Sequence, residues 1–565
     1  MNPNPIFSRE NTIIINEGWE FSFDRKAWQP IRVPFCPQSR LSGIGHTDFI
    51  KECYYRYILK TPVTDKRVML NFGAVDYRAV LYVNGKYVGS HTGGYTPFEF
   101  DITDYLNAED NELLLFVYDE DVSSRPSGKQ SRRQQSYGCF YTRTTGIWQS
   151  VWLEYAPDKR IESFRFYPDV QNGSVSVDLC VNGVGNYQIK AYFDGKQVGC
   201  SCGEIAYQKD ITLYLSEKKL WQLGEGNLYD VEIIFEDDKV TSYFGLREVE
   251  YRGYNFLLNG ESVFQRLVLD QGFYPEGLYT APSIEDMQKD IALGLALGFN
   301  GARLHQKVFD PIFLYLCDKA GYMVWGEFAS WGIDYTNLDS YGQFIAEWGE
   351  VLRRDFNHPS IITWCPLNEV WEPLDGSKKK NEFAFIDGVY EFTKAYDSTR
   401  PCVDVSGGYH GKQTDLYDFH CYGDADTLIT YLNKLEESNI LEVPLLLADY
   451  GGERYQEGQP TNLSEYGGIA LAPNAQNASS VTEGAVESEE SWGYGNGESD
   501  GDKFVERYRG LTQPLFSYKK LSGFCYTQLY DIEQEQNGFY NYDRTDKLTE
   551  EQKAEIKKIN EKNEE

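Results

Sequence analysis

The sequence predicts a multi-domain protein: an N-terminal β jelly-roll sandwich, an immunoglobulin-like β-sandwich and a C-terminal (β/α)8 TIM barrel. Three observations predict it. At 565 residues the chain is too long for one hydrophobic core and calls for several domains. Its first half carries short runs of period-two apolar alternation broken by turn residues, the pattern of antiparallel strands. After Arg247 strands alternate with stretches of helical length, the rhythm of a parallel barrel.

Residues 1–155 read as the first sandwich. Gly18-Trp-Glu-Phe21, Val68-Met-Leu-Asn-Phe72, Ala79-Val-Leu-Tyr-Val83, Leu113-Leu-Leu-Phe-Val117 and Val151-Trp-Leu-Glu-Tyr155 have the texture of short strands in an all-β sandwich. Asn84-Gly85 supplies the left-handed residues of a tight hairpin. Residues 156–246 keep this texture (Val175–Leu179, Tyr187–Ala191, Tyr229–Ile234) over a length suited to one immunoglobulin-like sandwich. Residues 247–565 are expected to form the barrel. Ser283 with Asp286 looks like an N-cap and an acidic first turn, opening a helical pattern over Ser283 to Leu293. Barrel strands are expected at 298–303, 322–327, 361–364 and 523–528. Residues 472–490 form a polar, acidic loop of low complexity. Residues 549–565 hold helix formers but few apolar positions, which predicts a solvated helix or frayed end.

Charge and composition exclude several function classes. A formal charge of −32 opposes binding to a polyanion or an anionic membrane surface. No apolar run approaches the roughly 20 residues of a spanning helix. Neither nucleic acid nor a membrane is therefore an expected partner. Residues 1–10 lack the charged start and apolar core of a signal peptide. Eleven cysteines, an odd number without a repeating framework, suit a reducing compartment, so a cytoplasmic protein is expected. Only Cys200 and Cys202 are closely spaced, and the six histidines form no His-Glu-x-x-His pattern; no metal and no cofactor is expected. Aromatic residues make up 15% of the chain, enough to present ring faces to sugars as well as to fill cores.

The chemistry concentrates in Pro359-Ser-Ile-Ile-Thr-Trp-Cys-Pro-Leu-Asn-Glu369, an apolar run that stops on Asn and a carboxylate. Active-site groups of a parallel barrel sit at strand C-termini, which makes Glu369 a candidate acid. Trp364, Pro366 and Trp371 nearby would disfavour its charged form and raise its pKa. A helix-start glutamate is the plain alternative. Two segments offer a partner carboxylate: Val443 to Ala448 runs into Asp449-Tyr-Gly-Gly, and Gly458-Gln-Pro leads to Glu465-Tyr-Gly-Gly. Glu465 matches Glu369 in reach for a pair about 5–5.5 Å apart. Val443 to Ala448 is the better intrinsic strand. The pattern leaves both open.

Further phrases carry a resemblance. They are Gly18–Phe21, Val80-Leu-Tyr-Val-Asn-Gly85 and Thr145-Gly-Ile-Trp-Gln-Ser-Val-Trp152 in the first sandwich. In the barrel they are Asn300-Gly-Ala-Arg-Leu-His-Gln-Lys307, Asn357-His-Pro-Ser-Ile-Ile-Thr-Trp364, Arg507-Tyr-Arg-Gly510 and Phe524-Cys-Tyr-Thr-Gln-Leu-Tyr-Asp531. With these the chain resembles glycoside hydrolase family 2, the group of β-galactosidases, β-glucuronidases and β-mannosidases, over nearly its whole length. The resemblance implies a sugar-binding jelly-roll and a catalytic barrel. It implies Glu369, in Asn368-Glu369 after the fourth barrel strand, as acid/base. Glu465, in the one stretch with the full Gly-Gln-Pro to Ser-Glu-Tyr-Gly-Gly phrase, is the implied nucleophile, and Asp449 is then a look-alike. Arg303 and His305 are candidates to bond the nucleophile or a sugar hydroxyl, with a supporting structural role as the alternative. His420 and Tyr422 fit the strand before the nucleophile, where they would orient its carboxylate. Tyr526 is a candidate floor for the sugar, with core packing as its alternative.

The implied activity is that of a retaining exo-β-glycosidase acting through a covalent glycosyl-enzyme. Where β-glucuronidases of the family hold an Asn-x-Lys to meet a uronate, this chain has the acidic Glu533-Gln-Glu-Gln-Asn-Gly538. A neutral sugar, β-galactoside first, is therefore expected. Another β-glucoside, mannoside, pentoside or furanoside specificity, a transglycosylase and a non-catalytic carbohydrate-binding protein are the alternatives. A carbohydrate is the expected partner, and assembly into a homo-oligomer stays open.

Overall fold

The computed structural model describes residues 1–62, 64–120, 122–370, 382–441, 443, 453–471, 476–478, 490–498 and 500–561. In the first unit a four-stranded sheet runs in the order Phe98–Asp101, Arg67–Phe72, Val151–Ala156, Ile13–Ile14. It packs on a six-stranded sheet in the order Gln29–Ile31, Trp19–Ser22, Glu52–Leu59, Asn111–Tyr118, Arg78–Val83, Lys86–Thr92. The alternation turns Ala79, Leu81 and Val83, and beside them Leu113, Leu115 and Val117, into one core. Asn84 and Gly85 both take positive φ, +52° and +75°, as the tight hairpin requires.

The second unit is one antiparallel sheet built on a long strand. Ser174–Phe193 pairs along its first part with Ile161–Asp169, along its second with Tyr229–Phe235, and on both with Lys196–Tyr214. Its register shifts between Cys180 and Val184, and such a bulge lets a strand bend. Ser8–Arg9 also joins this sheet, against Val240 and Thr241. The chain's first strand thus sits outside the unit expected for residues 1–155. Arg9 holds it there, bonding Asp238 at 3.0 Å, Glu154 at 2.8 Å and the Ile161 carbonyl at 2.8 Å.

The barrel strands are β1 (Gln265–Asp270), β2 (Gly301–Leu304), β3 (Met323–Glu327), β4 (Ile361–Cys365), β5 (Val405–Ser406), β6 (Tyr417–Cys421), β7 (Thr461–Gly467) and β8 (Leu521–Thr527). Seven of them form one sheet in the order β4-β3-β2-β1-β8-β7-β6. β5 follows β4 by pairing with Leu367–Asn368. Between β5 and β6 the Asp418 carboxylate makes the bridge, accepting from Ser406 Oγ at 2.6 Å and from Gly407 N at 3.3 Å. Helices α1 (Ile284–Ala296), α2 (Pro311–Ala320), α3 (Leu338–Asp355), α4 (Glu382–Tyr396), α5 (Ala425–Ser438), α6 (Gly501–Thr512) and α7 (Glu550–Asn560) cover the outside. Ser283 caps α1 by accepting from Asp286 N. α7 departs from the solvated tail expected of it: Ile556 and Ile559 are buried, and Thr549 with Gln552 forms a capping box. Two isoleucines three apart share a helix face and suffice to dock it. Among the described residues no helix is long and apolar enough to cross a membrane.

Candidate active site

Alternation along β2 turns Ala302 and Leu304 into the main core cluster and leaves Arg303 facing the other way, wholly buried. Its guanidinium fork joins three neighbouring elements. Nε donates to Glu327 Oε2 at 2.6 Å, Nη1 to Glu465 Oε1 at 2.8 Å and Nη2 to Asn368 Oδ1 at 2.5 Å. A planar, always charged fork suits such a junction. Glu327 ends β3, and burial, outweighing Arg303, raises its pKa.

Glu465 lies within β7 and is 5% exposed. Tyr422 donates to its Oε2 at 2.5 Å, opposite the Arg303 bond on Oε1. His420 Nε2 stands 3.6 Å and His305 Nδ1 3.9 Å from Oε1. Burial alone would push this carboxyl up, but His420 and Arg303 hold it down at about 2. Such a group is an anion at any working pH. The two glycines after Tyr466 have a steric cause. Gly467 and Gly468 take φ of +83° and +57°, and a Cβ on either would stand 2.2 Å from the ring of Tyr526 or Tyr494. The Tyr494 ring in turn stacks on Tyr422, centroids 3.7 Å apart, and so backs the group that bonds Glu465.

Glu369 follows Asn368 at φ +47°, a left-handed conformation that costs a non-glycine residue about 1–3 kcal/mol and clusters at functional sites. Its N donates to Ser406 O at 2.8 Å. The apolar surroundings expected from sequence are not what meets its carboxylate: His420 Nδ1 lies 2.8 Å from Oε1. Trp364 is turned away, bonding Asp397 at 2.8 Å, and Trp371 lies outside the described residues. Burial disfavours a charged His420, yet Glu465 and Glu369 together raise its pKa. One oxygen or nitrogen from each of Glu369, His420 and Glu465 all lie within 4.8 Å of one another. These three could ligate a metal, but Arg303 Nη1 already holds Glu465 Oε1 at 2.8 Å and His420 Nδ1 is engaged with Glu369 Oε1 at 2.8 Å.

Of the sequence candidates, Glu369, Glu465, Asn368, Arg303, His305, His420 and Tyr422 come together here. His305 Nδ1 lies 3.0 Å from Glu327 Oε1, and burial drives its pKa well down. Tyr526 does not join them. It is fully buried between Tyr466, Tyr508 and Phe539, so its surroundings are those of core packing. Asp449 lies outside the described residues. Glu327, Ser406 and Trp331 were not foreseen. Trp331 Nε1 donates to Asn368 O at 3.1 Å, and Ser406 Oγ lies 3.1 Å from His420 Nε2. The acidic stretch after β8 also faces an unexpected way. Glu533 accepts from Thr142 N at 3.1 Å, and Glu535 accepts from the Tyr141 hydroxyl and from Asn537 Nδ2 at 2.9 Å. Both carboxylates are held by the first sandwich or by their own loop.

Comparison with known proteins gives two family matches. Residues 12–157 match the sugar binding domain of glycosyl hydrolases family 2, and residues 279–472 match its TIM barrel domain. A β-galactosidase of Thermoanaerobacterium thermosulfurigenes is 27% identical over 438 residues, covering 72% of this chain but 58% of the relative. The chain thus spans little more than half of that relative's length. A β-glucuronidase of Rattus norvegicus is 27% identical over 466 residues, 73% of this chain and 70% of the relative. Among solved structures, a β-galacturonidase from Eisenbergiella tayi superposes with a TM-score of 0.75 at 19% identity, over 99% of this chain and 97% of its own.

Proposed function

The chain belongs to glycosyl hydrolase family 2, and we propose that it is a retaining exo-β-glycosidase with Glu465 as nucleophile and Glu369 as acid/base. The observation that carries this reading is the pair itself. Two carboxylates with oxygens no more than 4.8 Å apart match the short separation of retaining enzymes, since inverting ones need about 6.5–9.5 Å to admit a water between. Their surroundings divide the roles. Glu465, fixed by Arg303 and Tyr422 and held near 2, is the anion that attacks the anomeric carbon. Glu369, the more accessible of the two, protonates the leaving oxygen, and in the second step takes a proton from the water that releases the sugar. His420 touches both carboxylates and keeps their geometry while the proton moves. Asn368 Nδ2 has no hydrogen-bond partner among the described residues and is a donor free for a sugar hydroxyl.

The neutral-sugar expectation rested on repulsion from residues 533–538. With Glu533 and Glu535 engaged elsewhere, that repulsion no longer places a β-galactoside ahead of a β-uronide, and relatives are named for both. The reaction is tested by Glu465→Gln and Glu369→Gln on an activated nitrophenyl glycoside with proton NMR of the first-formed product. Each variant should lose roughly a thousandfold or more in turnover, and wild type should release the β-anomer first. Near wild-type turnover in either variant, or initial release of the α-anomer, rejects the reading.

A further inference from the structure

Lys129 reaches the barrel mouth from the first sandwich on a turn fixed to the barrel. Ser127 N donates to Trp331 O at 2.8 Å and Gly128 N to Ala329 O at 3.1 Å, while Lys129 O accepts from Tyr141 N at 2.8 Å. Gly128 has φ +58°, and a Cβ there would stand 2.5 Å from the Gln306 carbonyl. Only glycine lets the turn come this close, and the closeness carries the next residue over the site. The Lys129 ammonium stands 5.3 Å from the ring of Trp331 and 6.0 Å from that of Tyr141. Trp331 is the residue whose indole bonds the Asn368 carbonyl, one residue before Glu369.

The residue is 6% exposed. Among the described residues its Nζ has no carboxylate at ion-pair distance and no hydrogen-bond acceptor. Other buried lysines of the barrel are satisfied: Lys307 donates to the carbonyls of Gly272 and Tyr279, and Lys547 to Asp531 at 2.8 Å. A chain with 86 acidic and 54 basic side chains has no shortage of anions to pair with Lys129, and ring faces only partly replace one. The neighbouring cation, Arg303, is fully committed to Glu327, Glu465 and Asn368. After burial, the Lys129 charge is the strongest influence lowering His305, and it contributes to keeping Glu465 ionised. Geometry ties this charge to the catalytic pair through Trp331, whose ring it faces at 5.3 Å and whose indole bonds Asn368 O at 3.1 Å.

We propose, on the basis of the glycosidase reading above, that Lys129 determines specificity by pairing with a carboxylate of the glycone, so that β-linked uronides are the preferred substrates. A sugar hydroxyl would accept a hydrogen bond but leave the charge uncompensated; a carboxylate does both.

The test is kcat/KM of the full chain, Lys129→Met and Lys129→Arg on nitrophenyl β-galacturonide, β-glucuronide, β-galactoside and β-glucoside. Wild type should favour a uronide by roughly tenfold or more, and Lys129→Met should lower the uronide-to-neutral ratio by roughly 10- to 100-fold, mainly through KM, as loss of a charge-assisted hydrogen bond implies. Lys129→Arg should keep part of that ratio. Wild-type preference for a neutral glycoside overturns the proposal and leaves the glycosidase reading standing. So does an equal loss on both substrate classes in Lys129→Met, which marks a supporting role. Hydrolysis of none of the four by folded wild type overturns the uronide proposal, while the glycosidase reading is decided separately by the Glu465→Gln and Glu369→Gln comparison.

Discussion

Tyr422 and Arg303 each hold one oxygen of Glu465, so the proposed nucleophile is fixed at both carboxylate oxygens. Tyr422→Phe removes one of these bonds and leaves the stack on Tyr494 in place. Its expected effect is a kcat lower by roughly 10–100-fold, the worth of a hydrogen bond to a charged group, with folding unchanged. Steady-state kinetics and near-ultraviolet circular dichroism together check this; a kcat within twofold of wild type would mean Arg303 alone orients the carboxylate. Glu369 was legible from its Asn-Glu ending, whereas the carboxylate-Tyr-Gly-Gly ending left Glu465 level with Asp449, and only the family phrase from Gly458-Gln-Pro singled it out. Glu327 ends an apolar run in the same manner, at Tyr322 to Glu327, but has no such phrase around it. Lys129 carried no signal of its own. Its meaning depends on a contact between residues about 200 apart in sequence, Ser127 with Trp331, which no local period records.

At the scale of elements, the step from β5 to β6 is held by a buried polar network. His410 Nδ1 meets Asp404 Oδ1 at 2.7 Å and Nε2 meets the Asp418 carbonyl at 3.0 Å, while Gly411 N donates to Asp404 Oδ2 at 2.6 Å. Burial opposes the charge on His410, but Asp404 more than compensates and its pKa rises to about 9. Because the folded value exceeds the unfolded one of about 6.5, the stabilisation is fully present below about pH 6.5 and is lost as pH rises through about 9. His410→Gln should therefore destabilise most at pH 6, with the gap to wild type closing by pH 9.5. Urea midpoints at both pH values check it, and a gap that widens with pH would reverse the sign. Legibility here followed element length. α1 announced itself through Ser283 and the first hairpin through Asn84-Gly85, whereas β5 has only two residues, too few to display any period. α7 was legible as a helix but not as a docked one, since three buried positions, Ile556, Ile559 and Asn560, make a weak stripe in a charged sequence.

The molecule as a whole is tied together by buried charges at its junctions. Arg9 binds Asp238 of the second sheet and Glu154 of the first, and its loss leaves two nearly buried carboxylates facing each other. Arg9→Met should destabilise this junction by about 3–5 kcal/mol, seen as an earlier first transition in differential scanning calorimetry. An unchanged thermogram would show that the carboxylates find other partners. The contacts of Tyr141 with Glu535 and of Thr142 with Glu533 join residues 394 and 391 positions apart. A chain made from its N-terminus folds its first domain first, but the turn bearing Lys129 gains its anchors only when Ala329 and Trp331 arrive, and Tyr141 beside it gains Glu535 only after β8. A chain that stopped before Glu533 would therefore hold Glu369 and Glu465 while lacking the two carboxylates that brace Tyr141 and Thr142 beside the Lys129 turn.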